Sequence, residues 1–271
     1  MKYSVLMPLY IKDNPNYFEI AIDSMLNQTA FPDEILIVCD GPITSELEKI
    51  IIKKQKQFPK VIKVKKFNTN RGLGLTLADG VNLCKNEIIV RMDADDYSIK
   101  DRCELQLEFM KKNPHIDVVG CNVYEFSENI DNIVSTVTLP EISDDIVKFA
   151  KRRCPIRHPA LMYKKSKVIE AGNYKDYIHA QDYNLIVHMI LNGSKIYNIQ
   201  KYLLYMRVNS DFYKRRGGLK QAKIVLRLKK EFYKIGFYSL KDFFISGVGN
   251  AIICMLPNFV RKIFYKKMLR K

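Results

Sequence analysis

The most informative stretch of the chain is Glu87-Ile88-Ile89-Val90-Arg91-Met92 followed by Asp93-Ala94-Asp95-Asp96. It places clustered carboxylates directly after an apolar run. The run has the composition of a buried strand. Side chains alternate along a strand, so Asp93 and Asp95 point the same way if the extended conformation continues. Two such ligands at the carboxyl end of a parallel strand suit a divalent cation that phosphate oxygens also hold. The alternative is a turn or helix cap, which Asp-rich stretches commonly form.

The first 113 residues alternate strand-like and helix-like segments. Apolar runs predict strands at residues 4–7, 34–38, 61–66 and 87–92. Asn14-Pro15 predicts the start of a helix, and Ser98 with Asp101 resembles a capping box for a helix over residues 99–112. This alternation predicts an α/β fold with a Rossmann-like, mostly parallel central sheet and helices on both faces.

Beyond Pro114 the pattern becomes mixed. Strands are predicted at residues 118–126 and 133–139, with one or two more over 195–207, and helices at 142–151 and 182–191. No repeat or low-complexity linker interrupts the chain, so residues 1–213 are expected to form one mixed domain.

The six cysteines are scattered, without a C-x-x-C pair. Several of them lie in apolar runs, where Cys behaves as a small hydrophobic residue. This usage is typical of a reducing cytoplasm and indicates no structural zinc. Met1-Lys2 leads directly into a strand-like run, which leaves no room for the charged and apolar regions of a signal peptide.

The net charge of +16 is concentrated at the carboxyl end. Residues 214–271 contain 16 Lys or Arg against two acids, a net of +14, whereas residues 1–213 carry 29 basic and 27 acidic residues, a net of +2. A basic helical pattern runs from Gly217-Gly218 to Lys234. This asymmetry indicates an anionic partner for the tail, either nucleic acid or a phospholipid surface.

An uncharged stretch over residues 243–256 lies within this tail, flanked by lysines and arginines. Two glycines, an asparagine and then Pro257 interrupt it, so it is a poor match for a spanning helix of roughly 20 apolar residues. Basic amphipathic helices over residues 239–271, lying in the plane of an anionic membrane surface, fit better. The alternative is a core helix with a solvated basic end.

Four polar loops meet if the first four strands are parallel neighbours. Tyr10 could stack on a base and Asp40 could accept a hydrogen bond from a base N–H, while Arg71 and the Gly72 backbone could approach an anionic nucleotide. Each residue alone is an ordinary turn former. Their occurrence at successive strand ends favours a nucleotide-binding pocket.

The chain resembles family 2 glycosyltransferases of the bacterial surface-polysaccharide type, which have the GT-A fold. The resemblance covers about residues 3–210 and rests on four ordered motifs: Val5-x-Met7-Pro8-x-Tyr10, Glu34-Ile35-Leu36-Ile37-Val38-Cys39-Asp40-Gly41, Asn70-Arg71-Gly72-Leu73, and Arg91-Met92-Asp93-Ala94-Asp95-Asp96.

The resemblance implies a metal-dependent hexosyltransferase that uses a nucleotide-sugar, with UDP as the expected nucleotide and Mn²⁺ or Mg²⁺ as cofactor. It implies Asp95 as the metal ligand. It also implies a set of donor-binding residues: Pro8, Tyr10, Asp40, Asn70, Arg71, Gly72, Asp93, Ala94, Asp95, His158, Arg207, Arg215 and Arg216. For His158 the alternative is a buried, hydrogen-bonded histidine, and for the arginines after the last strand it is a solvated run of charge.

The catalytic base that the resemblance implies is Asp182, in the stretch Ala180-Gln181-Asp182-Tyr183-Asn184-Leu185. Gln181 stands where the family usually has a glutamate. From the residues alone, Asp182 is equally a negative charge at a helix start, which the helix dipole favours by about 0.3–1 kcal/mol.

On the acceptor side, the resemblance and the basic tail together predict inverting transfer to a polyprenyl-diphosphate-linked saccharide in capsule, O-antigen or exopolysaccharide assembly. The expected location is the cytoplasmic face of the bacterial inner membrane, bound peripherally. In this interpretation residues 1–113 hold the nucleotide, 114–213 the acceptor, and 214–271 the membrane. The absence of several spanning helices and of a Q-x-x-R-W motif argues against a processive synthase.

Two alternatives come from other classes of protein. A sugar-nucleotide pyrophosphorylase would need a glycine-rich loop after the first strand, where this chain has Pro8-Leu9-Tyr10-Ile11-Lys12-Asp13. A nucleic-acid-binding protein would use the basic tail, but the near-neutral body offers little support, so no nucleic-acid partner is expected.

Overall fold

The computed structural model describes residues 1–177, 180–208, 217–257 and 260. Within these ranges one mixed sheet contains nine strands: β1 (Tyr3–Leu9), β2 (Glu34–Cys39), β3 (Ile62–Lys66), β4 (Ile88–Arg91), β5 (Tyr97–Ser98), β6 (Val118–Phe126), β7 (Ile133–Val137), β8 (Met162–Lys164) and β9 (Ile196–Arg207). Their order is β3-β2-β1-β4-β8-β6-β9-β5, and β7 pairs with β6.

Helices surround this sheet, and a further helical unit follows it. They are α1 (Pro15–Leu26), α2 (Ser45–Gln57), α3 (Leu73–Leu83), α4 (Arg102–Lys112), α5 (Ser143–Ala150), α6 (Lys165–Glu170), α7 (Gln181–Leu191), α8 (Leu219–Lys234), α9 (Leu240–Asp242) and α10 (Gly249–Met255). A 3₁₀ turn spans His158–Ala160, and a π-helical segment, Phe243–Val248, joins α9 to α10.

The first four strands run parallel, as the sequence predicts. β1 pairs with β2 on one side and β4 on the other, and β2 pairs with β3. Every residue of β1, β2 and β4 is buried, because strands covered on both faces are apolar along their whole length. Strand order reverses direction at β1, so a crevice is expected beyond the carboxyl ends of β1 and β4.

The second half adds antiparallel strands to this parallel core. β8 pairs antiparallel with β4, while β6 and β9 run parallel to each other. The stretch predicted as one or two strands over 195–207 is a single strand. Neither β8 nor α6 was predicted, because a strand of three residues and a helix of six are too short for a clear hydrophobic period.

One predicted helix start is confirmed and another is wrong. The Asn14 side chain accepts hydrogen bonds from the backbone of α1, as expected. Ser98 does not begin a helix, since it pairs with Leu204 in the sheet and its N–H donates to the Ser24 hydroxyl at 3.1 Å. The helix starts at Arg102 instead, and Asp101 makes no side-chain cap bond.

Apolar residues fill both faces of the sheet. One buried cluster joins β1 to α1, α2 and α4, and a second joins the opposite face to α3, α6 and α7. A third cluster, which includes Tyr183, Val187, Leu228 and Phe232, packs α8 against α7. No helix in the described ranges combines the length and apolar character needed to cross a bilayer.

Candidate active site

Asp40 organises the loop that follows β3. Its two carboxylate oxygens accept the backbone N–H groups of Arg71 at 2.7 Å and Gly72 at 3.0 Å, and its carbonyl accepts from the Asn70 side chain at 3.3 Å. Gly41 allows this approach, since it has a φ of +87° and a Cβ there would lie 2.7 Å from the Asn70 nitrogen. The loops after β2 and β3 therefore meet, as expected of neighbouring parallel strands.

Two other predicted donor residues have partners at this edge. The Arg71 guanidinium lies 3.8 Å from the centre of the Phe67 ring and pairs with Asp79. The Tyr10 backbone N–H donates to the Asp13 carboxylate at 2.7 Å, which leaves the half-buried ring beyond the end of β1. Pro8 is buried within β1, and its contact with a donor stays a prediction.

Three carboxylates follow β4, and their ligand atoms all lie within 4.8 Å of one another. They belong to Asp93, Asp95 and Asp96, with the intervening Ala94 buried. One oxygen of the buried Asp96 accepts the Arg207 N–H at 2.7 Å, while the other has no hydrogen-bond partner among the described residues. An orphaned buried oxygen beside two other carboxylates fits a hard divalent cation.

The pKa values of the carboxyl groups in this acid cluster also favour a bound cation. Desolvation by the surrounding protein atoms, then the neighbouring charges of Asp93 and Asp13, raises the pKa of the solvent-accessible Asp95 to about 7. Burial also raises the pKa of Asp13 to about 6, with a further contribution from Asp93. A bound divalent cation reverses such shifts, because it favours the ionised carboxylates. Asp96 and Asp13 were missed as site residues, although Asp96 stands within the motif itself.

Arg207 braces the acid cluster from the end of β9. Its N–H bonds Asp96 and its Nε donates to the Asp95 carbonyl at 3.0 Å. The guanidinium lies 3.6 Å from the Tyr17 ring centre and 4.4 Å from that of Phe126. Arg207 thus lies beside the acid cluster, and its contact with a donor diphosphate stays a prediction. The other two predicted arginines, Arg215 and Arg216, lie outside the described residues.

Arg91 is a site residue whose role the sequence did not reveal. Its side chain is fully buried and forms an ion pair with Asp93, while Nε and Nη2 have no hydrogen-bond partner among the described residues. Its charge lowers the pKa of both His158 and Asp182. Arg91 therefore pairs with the acid cluster and is near enough to the predicted base for its charge to act on it. An arginine inside an apolar strand carries no sequence signal that points to such a partner.

Asp182 is the second residue of α7. Its Oδ2 is 3.8 Å from the Cys154 Sγ. Burial raises the pKa of Asp182, whereas backbone hydrogen bonds and the charges of Arg91 and Arg157 lower it, with burial dominant. A carboxylate with a raised pKa suits proton abstraction.

His158 has the surroundings of the buried alternative. Its Nε2 lies 2.9 Å from the Tyr174 hydroxyl. Burial, helped by the charge of Arg91, holds its pKa well below the usual range, so the imidazole is neutral. Contact with donor or acceptor stays a prediction.

Known proteins of similar sequence support the family resemblance. Residues 4–169 match the family model described as glycosyl transferase family 2. The UDP-Gal:alpha-D-GlcNAc-diphosphoundecaprenol beta-1,3-galactosyltransferase of Escherichia coli is 34% identical over 272 residues, which cover 100% of this chain and 97% of that protein.

Two solved structures share the fold. Staphylococcus aureus TarS 1–349 in complex with UDP-GlcNAc aligns with a TM-score of 0.70 at 17% identity, covering 100% of this chain and 76% of that chain. The mannosyltransferase PcManGT from Pyrobaculum calidifontis, in complex with GDP-Man and Mn²⁺, aligns with a TM-score of 0.66 at 15% identity, covering 96% and 72%. At these identities the likeness concerns the fold alone, and it confirms the predicted architecture.

Proposed function

The chain belongs to glycosyltransferase family 2 and has its GT-A fold, and we propose that it moves a sugar from a UDP-sugar to a lipid-linked saccharide. The observation that carries this proposal is that three clustered carboxylates after β4 and the Asp40-anchored loop after β2 and β3 lie at the same carboxyl edge of the parallel strands. Crevices beyond the carboxyl ends of the strands hold the ligands of open α/β sheets. The names of the Escherichia coli relative and of the TarS complex supply the donor and acceptor classes.

For the cofactor, we propose Mn²⁺ or Mg²⁺ held by Asp95 together with Asp93 and Asp96. When bound, such an ion neutralises negative charge that grows on the departing nucleotide diphosphate. The structural neighbour solved with Mn²⁺ and the orphaned oxygen of Asp96 support this assignment. Arg207 and Arg91 hold the same carboxylates in place from the protein side.

For the chemistry, we propose a single inverting displacement with Asp182 as base. Its carboxylate removes the proton from an acceptor hydroxyl while that oxygen attacks the anomeric carbon. Gln181, which replaces the usual glutamate, is buried at the start of α7, so it leaves the base role with Asp182.

For the setting, we propose that residues 1–213 form the catalytic domain and that the tail, residues 214–271, binds an anionic membrane surface. The described part of the tail supports this, because Phe244, Ile245, Ile252 and Met255 are each at least 50% exposed. We further propose that the enzyme works at the cytoplasmic face of the bacterial inner membrane, in assembly of a surface polysaccharide.

The test is a panel of UDP-sugars with short polyprenyl-diphosphate saccharides, with and without Mn²⁺, read by mass spectrometry. We expect one donor to extend the acceptor by one sugar in a metal-dependent reaction that Asp95→Ala abolishes. Product formed only from a sugar phosphate and a nucleoside triphosphate would identify a pyrophosphorylase instead. No product with any donor, together with tight salt-dependent binding of RNA or DNA, would favour the nucleic-acid alternative.

A further inference from the structure

Lys229 of α8 is an unusual member of the basic tail, because its side chain is buried. The residue is only 3% exposed, and its amine donates to the hydroxyls of Tyr183 at 2.8 Å and Tyr238 at 2.6 Å. Within the described ranges it forms no ion pair with an acid, and burial lowers its pKa to about 7. A buried amine without an acidic partner costs stability that an apolar side chain would not. The buried amine of Lys229 therefore indicates a role other than stabilising the fold.

The first partner of Lys229 is next in sequence to the proposed base. Tyr183 directly follows Asp182 in the first turn of α7, and its buried hydroxyl also donates to the Ala150 carbonyl. The helix begins without a side-chain cap, after Ala180 in a left-handed conformation with φ of +65°. Local sequence thus does little to set where this helix starts, so tertiary contacts at Tyr183 must do it.

The second connection reaches Asp182 from the opposite side, through residues 150–154. The Arg152 carbonyl accepts from the Ser246 hydroxyl at 3.2 Å and from the Lys229 amine at 3.5 Å. The Arg152 guanidinium pairs with Asp242 at 2.9 Å. This segment ends at Cys154, whose Sγ contacts Asp182. Both flanks of the carboxylate are therefore attached to the C-terminal helices.

We propose that Lys229 is a positioning residue for Asp182, which ties the start of α7 and residues 150–154 to the C-terminal helices. The tail then has two working sides. One carries the exposed apolar residues proposed to meet the membrane, and the other holds the base. The inference rests on the proposed role of Asp182, and it makes the tail a part of the catalytic site rather than an anchor alone.

The test compares Lys229→Met with Lys230→Met in the full-length protein, because Lys230 is the exposed neighbour on the same helix and undergoes the same change of side chain. We expect Lys229→Met to lower kcat about 10- to 100-fold at unchanged donor KM, as a displaced catalytic group would. We expect its Tm to equal or exceed that of the wild type, since a buried amine is removed. Lys230→Met should match the wild type in all three quantities.

Amide hydrogen exchange gives a reading that does not need turnover. Exchange at the first turn of α7 and over residues 150–154 should be faster in Lys229→Met and unchanged in Lys230→Met. Unchanged exchange at these two segments, or an unchanged kcat, would overturn the positioning role. So would a fall in kcat accompanied by a lower Tm and a higher donor KM, which is general loosening. If the wild type transfers no sugar, the proposed function fails, while the exchange comparison alone decides whether Lys229 positions α7.

Discussion

Carboxylates in this site differ in how many of their oxygens the protein itself occupies. Both oxygens of Asp40 accept backbone N–H groups, so this side chain shapes the loop around residues 70–72. Asp96 has only one oxygen occupied by the protein, and Asp95 is exposed beside it. The first arrangement fixes the shape of a loop, whereas the second leaves carboxylate oxygens that suit the proposed cation.

Asp96→Asn should weaken Mn²⁺ binding about 10- to 100-fold, because it removes one charge and one free oxygen from the acid cluster. Isothermal titration with MnCl₂ measures this directly. Asp101→Asn is the matched control, as Asp101 follows the same stretch but makes no side-chain cap bond. Equal affinity in the two variants would exclude Asp96 from the metal site.

Asp182→Asn should reduce kcat by about 10²- to 10⁴-fold while donor KM stays the same, because the amide cannot accept the acceptor proton. The exposed Asp144→Asn is the control. In the wild type, burial raises the pKa of Asp182, so the ionised base is lost at a higher pH than for an ordinary aspartate. We therefore expect kcat to fall as pH decreases through this raised pKa. A variant with near-normal turnover would contradict the assignment.

At the scale of elements, the loops after β2 and β3 depend on one close backbone approach. Gly41 lies against the Asn70 nitrogen with a positive φ, whereas Gly193 has a positive φ of +81° with no atom within 4 Å of its added Cβ. Substitution of Gly193 therefore measures the free-energy cost of the left-handed conformation alone, whereas substitution of Gly41 adds the cost of a steric contact.

Gly193→Ala should destabilise the fold by about 1–2 kcal/mol, the cost of a left-handed alanine. Gly41→Ala should cost more and also raise the donor KM, because the loop that Asp40 holds must move away from the new methyl group. Urea unfolding and donor titration measure the two effects. Equal losses of stability with an unchanged donor KM would show that the contact at Gly41 does not shape the pocket.

At the scale of the whole molecule, the described part of the tail packs against the preceding residues of the chain. Its inner side packs on α7 through the third apolar cluster, and its outer side exposes Phe244, Ile245 and Ile252. Exposed apolar residues with surrounding positive charge are the composition of a helix that lies in an anionic membrane surface.

The protein should therefore sediment with vesicles that contain anionic lipid, and less so at high salt. Changing Phe244 and Ile252 together to serine should lower the bound fraction. The control changes Ile133 and Val134 to serine, because these residues are 46% and 48% exposed on β7, outside the tail. Equal binding to neutral vesicles, or equal binding of both double variants, would contradict the membrane role.

Sequence alone determined the parallel half of the sheet and the residues at its carboxyl edge. Strands buried on both faces are continuously apolar, and the turn residues after them are adjacent in the chain, so both signals are local. Asp40, residues 70–72 and the Asp93–Asp95 pair were found in this way. Ser98 was misassigned because its sheet partner, Leu204, is remote in sequence.

The side chains that support that edge could be identified only from the tertiary structure. Arg207 reaches Asp96 across 111 positions and Lys229 reaches Tyr183 across 46, while the charge of Arg91 acts on acids from both halves of the chain. Such pairings depend on how helices and strands pack, and packing is a property of surfaces brought together from the whole chain. The local hydrophobic period contains no information about such pairings. The contacts of the two arginines with the acid cluster, and of Lys229 near the proposed base, could therefore be identified only in the folded molecule.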